Sequence, residues 1–291
     1  MKKGNLFFLV TLSVLVLSIG ITPVVLGTPS DQANDKAHEA AVVAVPEHAR
    51  EISPGFYSIG FAYHNGQLVQ GFLIFAHNER APPNHGGGGT TDDPTDDPTD
   101  NPCFTFLGDR KQKWKTVEDW VVNPNNNGGL DKTLVLEHLD RDFKIWEDAA
   151  GKDIVGTGET TEKKLIADGL VMGDAPDGRN EIYFADINPD YVIAFAIVWM
   201  NVIGPPIIVE VDAVYNDGHF EWSFDDEAGK MDFDNIAAHE NGHWVGMDHP
   251  QPEDPAVCPD ETMFFQTSTG ETKGRDLNAG DIAGIQKLYK K

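Results

Sequence analysis

Positive charge is scarce in this 291-residue sequence, where 22 Lys and Arg stand against 47 Asp and Glu for a formal net charge of -25. A surface of this sign repels phosphate backbones, so we expect no nucleic-acid partner. Cysteine is also scarce, with two residues in the whole chain. A fold that depends on many disulfides is therefore excluded, and the length allows a domain with an ordinary hydrophobic core.

The N-terminus has the composition of an export signal. Lys2 and Lys3 precede an apolar run, and the small residues Val25 and Gly27 stand at suitable -3 and -1 positions for cleavage. The pattern predicts a signal peptide over residues 1–27. Because the run approaches the ~20 residues that span a bilayer, an uncleaved membrane anchor is the alternative. Either way, we expect the rest of the chain to be secreted or held on the outer face of the membrane.

The two cysteines, Cys103 and Cys258, are expected to pair. Outside the cytosol thiols tend to be oxidised, and neither residue has another partner in the chain. The sequence therefore predicts one intramolecular disulfide.

Composition divides the remaining chain. Residues 85–102, HGGGGTTDDPTDDPTDNP, are too polar and too rich in proline to pack a core, which predicts a linker. Before it, apolar strand-like runs flank Asn65-Gly66, a dipeptide that favours a two-residue hairpin turn. We expect residues 28–84 to be a small β unit. The sequence leaves open whether this unit is an inhibitory pro-segment or a permanent accessory module.

Residues 103–291 carry the pattern of a single α+β domain. A helix is predicted over 133–149, because apolar residues recur there at helical spacing, and a second helix closes the chain with Ile282, Ile285 and Leu288 on one face. Apolar, β-branched runs predict strands at 116–122, 181–187, 192–199 and 207–216. We expect a twisted sheet of about four to five strands with helices packed against it.

The stretch HENGHWVGMDH, residues 239–249, carries the chemistry. On a helix His239 and His243 are four residues apart and point to one side. His249 would point elsewhere if the helix continued, but Gly246 can adopt a left-handed conformation and end it. Three imidazoles leave the fourth position of a tetrahedral zinc open for water, the arrangement of catalytic sites, with Glu240 beside that water.

This stretch resembles the HExxHxxGxxH signature of the metzincin metallopeptidases, in which a turn that contains methionine lies beneath the metal. Met263, fourteen residues after His249, stands where that turn is expected. The resemblance implies a metzincin-type catalytic domain, one catalytic Zn²⁺ held by His239, His243 and His249, and Glu240 as the general base. It also implies protein or peptide substrates and endopeptidase activity; the oligomeric state stays undefined.

Within the clan, the segments IIVEVDAVYNDGHFEW and LNAGDIAGIQKLY resemble matrixins. The resemblance implies that residues 192–199, with Ala194 and Ala196, form an edge strand that aligns a substrate antiparallel to itself. A buried strand is the alternative. Pro250 after the third histidine is a serralysin-like feature, whereas Phe265 departs from the tyrosine of serralysins and astacins. We therefore expect a divergent matrixin-like enzyme.

Further metals are less well supported by the sequence. Glu210, Asp212 and Asp217 could ligate Ca²⁺, although solvated carboxylates are the default interpretation. His219 is expected on the surface rather than in a second zinc site. The rival function is an extracellular binding or adhesion protein with a non-catalytic zinc, in which Glu240 would have no evident purpose.

Overall fold

The computed structural model describes residues 42–43, 45–53, 55–78, 103–163, 165, 175–250 and 257–290. The predicted export signal (1–27) and linker (85–102) lie outside these ranges. None of the three α-helices in the described ranges combines the length and apolarity needed to cross a bilayer.

The three α-helices are α1 (Val135–Ala150), α2 (Phe233–Trp244) and α3 (Ala279–Tyr289), and a short 3₁₀ helix covers Lys273–Arg275. The strands are β1 (Val42–Val43), β2 (Arg50–Ser53), β3 (Phe56–His64), β4 (Gln67–Asn78), β5 (Thr105–Phe106), β6 (Glu118–Val122), β7 (Val155–Thr160), β8 (Glu181–Ala185), β9 (Ile187–Asn188), β10 (Val192–Asn201), β11 (Ile208–Asn216), β12 (Trp222–Ser223), β13 (Met231–Asp232), β14 (Met247–Asp248) and β15 (Gln266–Thr267).

One mixed sheet organises the molecule, in the order β2-β3-β4-β10-β11-β8-β6-β7, with β15 paired to β4. Neighbours from β2 to β11 are antiparallel, and those from β11 to β7 are parallel. Five strands on this path, β6, β7, β8, β10 and β11, come from the predicted catalytic domain, so the predicted α+β class is confirmed. The predicted strand count of about four to five omits the N-terminal strands, which continue the same sheet.

The turn between β3 and β4 explains how the N-terminal strands pair. Asn65 and Gly66 both have positive φ, at 49° and 78°, as a type I′ hairpin turn requires. The hairpin holds β3 and β4 in antiparallel register from Phe56 opposite Ile74 to His64 opposite Gln67. The predicted Asn65-Gly66 turn is therefore present.

The two faces of β10 differ in residue size. Ala194, Ala196 and Val198 join the cluster that includes helix residues of α1 and α2, whereas Phe195 and Ile197 join a second cluster on the opposite face. Small side chains on one face let a helix lie close to the sheet, and larger ones fill the other face. The sheet thereby positions α2, which carries the predicted metal ligands.

Helix α3 packs on the core less completely than its sequence pattern suggests. Ile285 and Leu288 are buried, but Ile282 is 36% exposed. Because Ile282 lies in the first turn of α3, it extends past the core that the later turns cover. The expectation that all three residues share one buried face is wrong for Ile282.

Candidate metal centre

Helix α2 brings His239 and His243 to one place. The side chain of Asp232 caps its start by accepting from the backbone N–H of Asn235 at 3.0 Å. The two imidazole ring centroids are 4.9 Å apart, and both side chains are buried. This is the geometry that the spacing of four residues predicts for one helical face.

Gly246 turns the chain back after α2. Its φ is +102°, and a Cβ on this residue would lie 2.6 Å from the carbonyl oxygen of Gln112. Both the conformation and the close backbone therefore favour glycine. The following residues form β14, which pairs antiparallel with β5 and delivers His249.

The third imidazole meets the other two. The Nε2 atom of His249 lies 3.1 Å from Nε2 of His239 and 3.2 Å from Nε2 of His243. Among the described residues, this trio is the one group of at least three His, Cys, Asp or Glu side chains arranged to hold a metal ion. The structure thus places the three predicted ligands around a common point.

Hydrogen bonds on the far side of two rings orient them. Nδ1 of His239 donates to the carbonyl oxygen of Thr262 at 2.7 Å, and Nδ1 of His243 donates to that of Met247 at 2.9 Å. With the proton on Nδ1, the Nε2 lone pairs point to the centre, as in metal-binding histidines. The sequence motif does not reveal these two carbonyl partners.

Burial keeps these imidazoles neutral. It lowers the pKa of His239 to about 4, and it lowers the pKa of His243 and His249 well below the ordinary value, with repulsion between the rings acting in the same direction. Neutral imidazole is the form that coordinates a metal. Strand β4 runs close to the centre, because Ala76 and His239 line the same small pocket.

Glu240, which directly follows His239 in α2, is fully buried. Neither carboxylate oxygen has a hydrogen-bond partner among the described residues, and burial raises its pKa well above the ordinary value. An unpaired buried carboxylate is costly unless a cation or a polar ligand compensates it. The donor set and this carboxylate fit a zinc ion with a polar fourth ligand.

Met263 lies directly below the metal-binding helix. It is fully buried, and a Cβ added at Gly242 of α2 would clash with its sulfur and with Trp146.

Asp281 of α3 accepts from the backbone N–H groups of Thr262 at 2.7 Å and Met263 at 3.2 Å. Burial raises the Asp281 pKa to about 7. Its anchoring role was not part of the sequence expectation.

The predicted disulfide is present between Cys103 and Cys258, which are 155 residues apart. Cys103 stands two residues before β5, which pairs with β14 next to His249. Cys258 stands five residues before Met263. The bridge therefore ties the start of the predicted catalytic domain to the chain that forms the floor of the metal centre.

Strand β10 is an interior strand of the sheet rather than an edge strand. Ala194 and Ala196 are fully buried, and their strand pairs with β11 on one side and β4 on the other. The expectation of a free edge strand at these residues is wrong for this structure, because the N-terminal hairpin occupies that edge. The buried-strand alternative describes what is observed.

The acidic side chains considered for calcium are buried rather than solvated. Glu210 accepts from the N–H groups of Asp177 and Gly178, and Asp212 accepts from that of Glu181. Asp217 accepts from the N–H of Asn127 at 2.6 Å. Their structural role is thus to hold loops through backbone contacts, which corrects the default of solvated carboxylates.

His219 lies near the surface, as expected. Its Nδ1 is 3.3 Å from the carboxylate of Asp186, and its side chain is 32% exposed. It takes no part in the group formed by His239, His243 and His249.

The sequence around the metal centre is similar to a known peptidase family. Residues 203–290 match the sequence model of the matrixin peptidase family, described as Peptidase_M10, Matrixin. This part of the chain is matrixin-like. The matched range contains α2, the three histidines, Met263 and α3, and it supports a metallopeptidase.

Two further comparisons, with solved structures and with curated proteins, give weaker similarity than the family model. Metalloproteinase-II from Bacteroides fragilis is similar at 12% identity, with 82% of this chain and 78% of that chain covered and a TM-score of 0.31. None of the curated proteins compared with this matrixin-like chain matches it.

Proposed function

We propose that the protein is an exported zinc-dependent endopeptidase. The observation that carries the proposal is the convergence of three buried Nε2 atoms, together with the buried carboxylate of Glu240, which follows His239 in α2 and has no hydrogen-bond partner among the described residues. A structural zinc site has no need of such a carboxylate. The matrixin-like sequence of residues 203–290 supports the same conclusion.

His239, His243 and His249 would hold a zinc ion through Nε2, and the ion would supply an acidified water molecule and a polarised peptide carbonyl. Glu240 would take a proton from the attacking water on a carboxylate oxygen and pass it to the nitrogen of the leaving amine. Ionised Glu240 is the form that accepts the proton, and a cation at the site would oppose the rise in its pKa caused by burial.

The ordered carbonyl groups of Thr262 and Met247 support this chemistry. They fix the orientation of two ligands through Nδ1, so the site is formed before substrate arrives. Secretion and peptide substrates follow from the N-terminal segment and from the family resemblance, and both are part of the proposal.

The test measures bound metal and cleavage of an unfolded protein by the zinc-loaded chain, with Glu240→Gln as the catalytic variant and Glu227→Gln, an exposed residue, as the matched control. We expect one zinc per chain in all three proteins. Cleavage should be lost in Glu240→Gln alone, by about 10²-fold or more. Because the N-terminal hairpin occupies the β10 edge, the assay also includes loosened chains that carry Gly71→Val, where a Cβ would lie 2.7 Å from Ile59 and 2.8 Å from Trp199 of β10.

Two results would count against the proposal. A chain that binds no zinc would remove the metal assignment. Zinc without cleavage in the loosened chains would favour the extracellular binding protein with a non-catalytic metal.

A further inference from the structure

The hairpin end of β3 and β4 exposes large apolar side chains. Tyr63 and Ile203 are each 74% exposed and Phe61 is 62% exposed, the highest values for large apolar residues in the described part of the chain. We name these three side chains the apolar tip. Single exposed apolar residues are common on soluble proteins, but a group of them at one place is typical of a surface that contacts a partner or a membrane.

Strand pairing brings the apolar tip together. Phe61 and Tyr63 are two residues apart in β3, so their side chains point to one face of the sheet. Tyr63 lies opposite Leu68 in β4. The N–H of Val202, which directly precedes Ile203, donates to the carbonyl oxygen of Leu68 at 3.1 Å. The turn after β10 therefore meets the β3–β4 hairpin at the same end of the sheet.

A buried side chain holds the turn that carries Ile203. The amide nitrogen of Asn201 donates to the carbonyl oxygens of Ile203, at 2.9 Å, and of Pro205, and its amide oxygen accepts from the N–H of Ile207 at 2.8 Å. Asn201 is itself buried. The side chain of Ile203 thus extends into solvent from an ordered backbone, so little backbone entropy is lost when it contacts a partner.

Two cations adjoin the apolar tip. The guanidinium of Arg110 donates to the carbonyl oxygen of Val202 at 2.6 Å and to that of Gly204. The ammonium of Lys111 lies 5.4 Å from the ring centroid of Phe106. Both cations are exposed, and neither forms a salt bridge within the described ranges. Their charges therefore face solvent at the same end of the sheet as the apolar tip.

The segment that carries these cations is basic, although the protein is acidic. Residues 107–115, LGDRKQKWK, hold four Lys and Arg and one Asp, whereas the whole chain has a net charge of -25. At physiological ionic strength, exposed charges more than about 8 Å apart are largely screened from each other. The local sign therefore decides which partner this end of the molecule attracts, and it favours an anionic one.

An anionic lipid surface fits both features. Peripheral proteins bind such surfaces with apolar side chains at the boundary of the acyl chains and with Lys and Arg among the headgroups. A soluble polyanion would use the cations and leave the apolar tip in water. A second copy of the chain, related by two-fold symmetry, would cover the apolar tip but bring like charges together at Arg110 and Lys111.

We propose that the apolar tip, with Arg110 and Lys111, binds the surface of an anionic lipid bilayer. The side chain of Ile203 enters the boundary of the acyl chains, and the two cations contact the headgroups. The protein lies on the bilayer through this end of the sheet and does not span it. This binding is independent of the proposed peptidase activity.

The direction of β4 sets the position of the metal centre relative to the bilayer. The strand runs from Leu68, beside the apolar tip, to Ala76, which lines the same pocket as His239. At about 3.3 Å per residue, the strand spans up to about 26 Å between these two residues. The metal centre therefore lies away from the lipid while the protein is bound.

The test measures vesicle binding without catalysis. It uses zinc-loaded protein of residues 28–291, because the apolar run of the predicted export signal would insert by itself; residues 39–291 form one compact unit. Flotation compares vesicles of phosphatidylcholine alone with vesicles of phosphatidylcholine and phosphatidylglycerol in equal parts. We expect the protein to bind the anionic vesicles only, and we expect added salt to weaken this binding.

One pair of variants tests the cations. Arg110→Gln/Lys111→Gln should weaken binding to the anionic vesicles at least about tenfold, because each cation at such a surface contributes to binding. The matched control, Lys132→Gln/Lys144→Gln, removes the same charge from exposed residues elsewhere. We expect the control to bind as the parent does.

A second pair tests the apolar tip. Ile203→Ser should weaken binding about tenfold, because the apolar area that leaves water is lost. Ile52→Ser, on an exposed residue of β2, is the matched control and should bind as the parent does. If Ile203→Ser shows no cooperative unfolding, Tyr63→Ser replaces it.

Four results would overturn the inference. The parent would not float with the anionic vesicles, or the variants and their controls would bind equally well. Binding of dextran sulfate that depends on Arg110 and Lys111, with vesicle binding unaffected by Ile203→Ser, would assign the cations to a soluble polyanion. A dimer in sedimentation that Ile203→Ser abolishes would assign the apolar tip to a second copy. Because no result depends on cleavage, failure of the proposed peptidase activity is distinguishable from all four.

Discussion

The sulfur of Met263 lies against Gly242, the residue that directly precedes His243 in helix α2. A Cβ on Gly242 would clash with that sulfur and would come within 2.7 Å of Trp146. Trp146 is itself fixed, because its indole N–H donates to the carbonyl oxygen of Ala238 at 2.8 Å. The contact between Met263 and α2 at Gly242 therefore has no space for one additional methyl group.

Gly242→Ala should destabilise the protein by about 1–3 kcal/mol, the usual range for overpacking a filled core. Urea unfolding of the metal-free chain measures this change. Shortening the opposing side chain in Gly242→Ala/Met263→Ala should give back part of the loss, so the two changes should show a favourable coupling of about 0.5 kcal/mol or more. Purely additive effects would show that the two residues are not in contact.

Asp281→Asn should weaken zinc binding from a distance. The carboxylate accepts from the N–H groups of Thr262, Met263 and Asn278, and an amide cannot accept all three. Because the Thr262 carbonyl orients His239, we expect zinc affinity to fall about 10- to 100-fold, together with a lower melting temperature. Chelator competition measures the affinity, with Asp276→Asn, an exposed neighbour, as the control. Unchanged affinity in Asp281→Asn would contradict the role assigned to it.

Removing the disulfide should cost up to about 5 kcal/mol of unfolding free energy on the chain-entropy model, because the bridge closes a long loop. The double variant Cys103→Ala/Cys258→Ala avoids a free thiol, and denaturant unfolding compares it with the oxidised parent. Reduced parent protein is the matched control and should resemble the double variant. Equal stability of oxidised and reduced parent would show that the bridge adds nothing.

Asp142→Asn should make stability less dependent on pH. Burial raises the pKa of Asp142 to about 9, with the negative charge of Asp234 as a second cause and Arg141 in opposition. Between its ordinary value near 3.8 and 9, the folded chain holds a proton that the unfolded chain releases. The contribution of Asp142 to the free energy of unfolding therefore falls as the pH rises through that window, by up to about 1.4 kcal/mol per pH unit.

The amide variant has no proton to lose, so its advantage over the parent should grow from pH 5 to pH 8. Thermal unfolding across this range checks the prediction. Asp148→Asn, on an exposed residue of the same helix, should leave the pH dependence of the parent unchanged. A parallel pH dependence for parent and Asp142→Asn would refute the assignment.

Local sequence signals predicted much of this molecule. The four-residue spacing of His239 and His243 defines a helical face, and the freedom of Gly246 to turn allows His249 to approach that face. The Asn65-Gly66 dipeptide predicts its own hairpin, because the turn conformation depends on those two residues alone. These features need little information from distant parts of the chain.

Features set by distant partners were not predictable in the same way. The residues of β10 are apolar on both faces, which fits a buried strand, but the sequence does not say that β4 is its neighbour across more than 100 residues. The Thr262 carbonyl and the Asp281 carboxylate are missed for a related reason, since a backbone carbonyl leaves no mark in the sequence and a single aspartate in a first helical turn has an ordinary capping role.

The covalent continuity between β4 and the disulfide at Cys103 has one more consequence. The 24 residues numbered 79–102 connect the two, so β4 pairs with β10 within one molecule, and diluting the intact protein cannot weaken that pairing. A single cut between them would make the N-terminal hairpin a separate chain. Its retention on β10 would then depend on how far the protein is diluted as well as on the cut itself.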